Sequence, residues 1–76
     1  MNAERRKQLA SIVSKLDELN EELQTLIDEE QEYYDNMPES FQNGEKGERS
    51  QTAIDDMESA HSSIEDAATN LETAQE

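Results

Sequence analysis

Residues 8–27 read Gln8-Leu9-Ala10-Ser11-Ile12-Val13-Ser14-Lys15-Leu16-Asp17-Glu18-Leu19-Asn20-Glu21-Glu22-Leu23-Gln24-Thr25-Leu26-Ile27. Leu9, Ile12, Leu16, Leu19, Leu23 and Leu26 recur at alternating steps of three and four, and the same stepping reaches Glu30, Tyr33 and Met37. This is the a/d seam of an amphipathic helix written in heptads, with Val13, Ile27 and Tyr34 widening it at e positions. A disordered polar chain keeps no such spacing over nearly four heptads. The reading is a helix over residues 3–35.

The second half behaves alike. Ile54, Met57, His61, Ile64, Ala68 and Leu71 alternate the same steps, while Ala53, Ala60, Ala67 and Ala74 recur every seven residues beside them. An alanine row lets a neighbouring helix approach closely, and alanine has the highest helix propensity. Serine and threonine are frequent, so this helix, placed over residues 47–74, depends on packing. Between the two lies an elbow at 36–46. Pro38 disfavours helical geometry at Met37 and can start a short turn capped near Asn36 or Met37, with Asn43-Gly44 closing it.

So short a connection makes the helices antiparallel neighbours. Two registers are open. One pairs Leu9 with Leu71, Leu16 with Ile64, Leu23 with Met57 and Leu26 with Ile54. The other slides by a heptad and pairs Leu16 with Leu71, Leu23 with Ile64 and Tyr33 with Ile54. The first uses more of both seams. The fold expected is an all-α antiparallel helical hairpin, coiled-coil-like, in a single domain. Stripes this wide exceed what two helices enclose, so a four-helix bundle or higher homo-oligomer is expected.

Composition supports association. Only 32% of the 76 residues are hydrophobic and three are aromatic, little to set against a backbone entropy cost of roughly 1–2 kcal/mol per residue. There is no cysteine, which excludes disulfides and thiolate metal sites. The charged start is followed by no apolar h-region, and no run approaches a membrane span. A cytoplasmic location is therefore expected.

Twenty acids against six bases give a charge of −14, and from Asp17 to Glu45 eleven acids occur with no Lys or Arg. Such a surface repels nucleic acid and anionic lipid and attracts basic proteins or cations. The plainer reading is that the acids maintain solubility. A cyclic-nucleotide sponge is disfavoured, because the bases an anionic ligand needs sit almost only at Arg5, Arg6, Lys7 and Lys15.

Chemistry-bearing motifs are few. Glu58-Ser59-Ala60-His61 is a Glu-x-x-His pair at helical spacing, as in four-helix di-iron carboxylate proteins, and Glu30 stands at an a position. A carboxylate bundle using Glu30, Glu58 and His61 is therefore one alternative. The plainer reading makes the sole histidine a polar a-position residue that sets register. No EF-hand loop, catalytic triad or phosphate-cradling loop is present. No cofactor and no enzymatic activity are expected. The elbow is the unusual segment: Tyr33, Tyr34, Met37 and Phe41 gather within nine residues, framed by Glu32 and Asp35. Aromatics ringed by charge are typical of binding hot spots, although they also close the ends of small bundles.

The run Asp28-Glu29-Glu30-Gln31-Glu32-Tyr33-Tyr34-Asp35-Asn36-Met37-Pro38-Glu39-Ser40-Phe41-Gln42 resembles the signature of small acidic proteins encoded by tailed bacteriophages. The order of parts is similar too: a basic start, a leucine-heptad helix, this elbow, then an alanine-rich acidic helix. The resemblance extends over nearly the whole chain. It implies a setting in the host cytoplasm and no particular mechanism, and a phage setting implies a protein that binds or diverts a host factor, including a defence system.

The expected function is thus a non-enzymatic protein-binding module. Its elbow residues Glu32, Tyr33, Tyr34, Asp35, Met37 and Phe41 would meet a protein partner, and the acidic surface favours a basic one. The alternatives are a structural coiled-coil protein, the carboxylate bundle, and a DNA mimic.

Overall fold

In the computed structural model, which describes residues 1–76, the chain forms three helices: α1 (Ala3–Asp35), α2 (Glu39–Gln42) and α3 (Glu45–Ala74). α1 starts where Asn2, in extended conformation, accepts the Arg5 N–H at 2.8 Å on its side chain. This satisfies one of the orphan donors of a helix N-terminus. α1 ends ahead of Pro38, as the proline requires. α2 is a single turn whose N-cap is Pro38, with the Pro38 carbonyl accepting from Phe41 and Gln42 N–H at 2.8 and 3.0 Å. The cap is therefore Pro38 itself rather than Asn36 or Met37. Gly44 has φ −101° and caps the start of α3, two residues before the start expected from the pattern.

α1 and α3 lie antiparallel along a rod of 58 × 14 × 12 Å. Two side-chain hydrogen bonds fix their register. Asn20 Nδ2 donates to the His61 carbonyl at 3.2 Å, and Ser50 Oγ donates to Glu30 Oε2. Facing residues therefore have numbers adding to 80 or 81. That is the first of the two registers, with Leu9 level with Leu71, Leu16 with Ile64 and Leu23 with Met57.

The seam of α1 differs from the a/d expectation. Leu9, Leu16 and Leu23 are half-buried at their a positions, but the buried companions are Val13, Asn20 and Ile27 at e. Ile27, not Leu26, stands against Ile54, which is the most deeply buried side chain at 1% exposure. The d row (Ile12, Leu19, Leu26, Tyr33) is exposed, with Leu19 at 55% and Leu26 at 53%. A single partner helix covers an arc of only two heptad positions. In α1 that arc is a/e, which leaves d outside. α3 uses the expected arc: Ile54 and Ala68 are buried and Met57, His61, Ile64 and Leu71 half-buried, with Gly47 and Ser50 extending it one heptad toward the elbow.

The core is correspondingly thin. The accessible surface is 5587 Å², against about 4,700 Å² for a compact monomer of this mass. The radius of gyration is 17.2 Å, against about 11 Å for a compact domain of this length. No helix is long and apolar enough to cross a membrane.

Candidate functional site: the elbow

The elbow is a junction of all three helices. Gln42, on α2, donates from Nε2 to the Tyr34 carbonyl at 2.9 Å, tying α2 to the last turn of α1. On its other side α2 lies against Gly47, in the first turns of α3. A Cβ at Gly47 would meet the Gln42 carbonyl oxygen at 1.9 Å and its carbonyl carbon at 2.5 Å. Only glycine admits that approach. The short helix is thus clamped between α1 and α3 by one side-chain amide and one missing methyl group.

This clamp displays the aromatics unequally. Tyr34 and Met37 are half-buried against the hairpin, whereas Tyr33 and Phe41 remain 53% and 50% exposed. Tyr33, Asn36, Met37, Pro38, Phe41 and Lys46 line a shallow cleft of about 270 Å³. Lys46 Nζ stands 5.4 Å from the centre of the Phe41 ring, within cation–π range. Glu32, Asp35 and Glu39 are exposed and adjacent in sequence but do not line the cleft, whose one charged group is Lys46. Of the elbow residues singled out in the sequence, Tyr33, Met37 and Phe41 meet in this cleft, while Tyr34 turns toward the hairpin. Lys46 was not singled out. It occupies the heptad position of the alanine row one turn of the pattern before Ala53, a placement the spacing already contained.

The carboxylate-bundle residues are dispersed within one hairpin. Glu30 accepts from Ser50, whereas His61 faces Asn20, ten residues away along α1, a separation of about 15 Å. His61 Nδ1 stands 3.3 Å from Glu65, and Glu58 is exposed. No three His, Asp or Glu side chains converge as a metal site would require.

Two polar groups in the interior escaped the sequence reading. Asn20 is only 8% exposed, and its Oδ1 has no hydrogen-bond partner. Ser50 is buried on Glu30. Both are legible by extension, since Asn20 falls in the e row of Val13 and Ile27, and Ser50 in the row of Met57 and Ile64.

By geometry the molecule is a two-helix acidic rod carrying a rigid aromatic elbow. Compared with known proteins, it matches no family model, no curated protein and no solved structure.

Proposed function

We propose that the protein is a non-enzymatic binding module whose elbow docks a protein partner. The observation that carries this is the pair of half-exposed rings, Tyr33 and Phe41, held on a clamped junction at the acidic elbow end of the rod. Exposed aromatics on a rigid support lose little conformational entropy on binding, which is what makes such residues hot spots. The net negative charge of this end of the rod favours a partner with a basic rim and an apolar group to fill the cleft, and it speeds encounter at low salt. The likeness of the elbow sequence to small phage proteins adds a setting: the partner is a host protein met during infection, a component of a defence system included.

The test is capture from host lysate by the tagged protein, run beside a Tyr33→Ala/Phe41→Ala variant of unchanged helix content. A stoichiometric partner retained by the wild type and bound at least about tenfold more weakly by the variant supports the proposal. A partner held equally by both places the site elsewhere. A second reading, mimicry of the DNA backbone, is favoured by the acids themselves. Only Glu45 and Glu65 have a basic group within 4.0 Å, so the carboxylates along the 58 Å rod are almost all unpaired. Under mimicry the captured partner is a DNA-binding protein displaced by duplex DNA and insensitive to the elbow variant.

A further inference from the structure

The two broad sides of the hairpin are chemically unlike. At 100° per residue, the exposed d row of α1 (Ile12, Leu19, Leu26, Tyr33) and the alanine row of α3 (Ala53, Ala60, Ala67) both flank the seam, and on the same side. Their elbow-end members confirm this, because Tyr33 and Lys46 line one cleft. The opposite side is polar, with Asp17, Gln24 and Glu65 lining a shared groove. One side is therefore a ridge of large apolar groups beside a shelf of small ones, with half-buried Leu16, Leu23, Met57 and Ile64 between them.

We infer that this face is covered by a second copy of the chain, lying antiparallel so that the two elbows point to opposite ends of the assembly. Size and charge carry the argument. The face measures about 58 by 14 Å, roughly 800 Å² per copy, which is the area each partner contributes to a standard stable interface. The surplus surface of the lone hairpin over a compact monomer is of the same order.

Charge fixes the direction. Residues 28–52, the elbow end, hold eight acids and two bases, whereas residues 1–16 and 65–76, at the open end, hold five acids and four bases. Side-by-side elbows would bring two strongly negative ends together. The antiparallel arrangement sets each elbow beside a nearly neutral end. With Leu19 level with Leu26 of the second copy, Lys15 falls beside Glu29 and Glu30 of that copy, and Arg5 and Arg6 come level with its acidic elbow end. Tyr33 stands where this face meets the elbow cleft, level with Ile12 of the second copy, so the measurements below use the protein without an elbow partner and test association separately from the elbow reading.

The chain has no cysteine, so a single Asn43→Cys substitution in the elbow accepts one spin label per copy. Sedimentation should give twice 8.7 kDa. The label distance should be about 50 Å, near the length of the rod, whereas elbows side by side would give about 20 Å, two helix widths. Leu19→Asp/Leu26→Asp should weaken association by about a hundredfold or more, because both groups lose an apolar environment in each copy. Gln24→Asp, which adds charge on the opposite side, should leave association within a fewfold of wild type. A folded monomer at about 100 μM, far above typical dimer dissociation constants, would overturn the inference. So would an unchanged Leu19→Asp/Leu26→Asp variant, or a label distance near two helix widths.

Discussion

Replacing Gly47 by alanine sets two effects of opposite sign against each other. Gly47 lies in α3, where alanine is favoured over glycine by up to about 1 kcal/mol. Helix propensity alone therefore calls for a stabler protein. The structure calls for the reverse. The added Cβ would sit 1.9 Å from the Gln42 oxygen and 2.6 Å from the Gln42 Cα. These are backbone atoms of α2, so no side-chain rotation relieves the overlap. Overpacking of this kind costs about 1–3 kcal/mol. If α2 moves away instead, the hydrogen bond from Gln42 to the Tyr34 carbonyl is lost, at about 1 kcal/mol. Set against the propensity gain, the net expectation is a loss of up to about 2 kcal/mol. For a domain of this size each kcal/mol moves the thermal midpoint by roughly 4–8 °C. Thermal melts followed by circular dichroism should show a fall of up to about 15 °C at equal protein concentration, and exchange of the Phe41 and Gln42 amides should speed up while the middle of α3 stays protected. A midpoint that rises would refute the clamped elbow and leave α2 free of α3.

Ile54→Ala, at the most deeply buried position, should cost about 2–5 kcal/mol by chemical denaturation; a loss of a few tenths would mean that the hairpin core lies elsewhere. Asn20→Leu should raise stability by about 1 kcal/mol, because it removes a buried oxygen without a partner. The same change should loosen the register that the Asn20–His61 bond selects, which amide exchange would detect as lower protection along the seam. Raising salt from about 20 mM to about 0.5 M should raise the melting temperature, since screening relieves repulsion in a chain of net charge −14. A fall with salt would point to specific ion pairs as net stabilisers.

The helices and their order are legible in the sequence because heptad spacing is a direct image of burial. The arc chosen by α1 is not. Leu9, Leu16 and Leu23 belong to both an a/d and an a/e stripe, and Leu19 and Leu26 are larger apolar candidates than Asn20. The choice is one of the rotation at which α1 meets α3, and no local pattern encodes that angle. The elbow aromatics announced themselves by composition. Their division, with Tyr33, Met37 and Phe41 in the cleft and Tyr34 turned toward the hairpin, goes with the Gln42 and Gly47 contacts, which join α2 to the helices on either side and leave no mark in heptad spacing. Gly47 illustrates the point: in the sequence it is only the first residue of the expected second helix, and in the fold it is a buried helical residue whose missing side chain admits α2.

Both the elbow cleft and the apolar face depend on the register of α1 against α3. The most direct measurement is cysteine-pair crosslinking in this cysteine-free chain. A Leu16→Cys/Ile64→Cys variant should form an intrachain disulfide rapidly on mild oxidation, because positions facing across a helix seam lie within disulfide reach. Leu16→Cys/Leu71→Cys, matched to the register slid by one heptad, should stay reduced within the chain under the same conditions. The opposite outcome would contradict the register, and with it the placement of both surfaces.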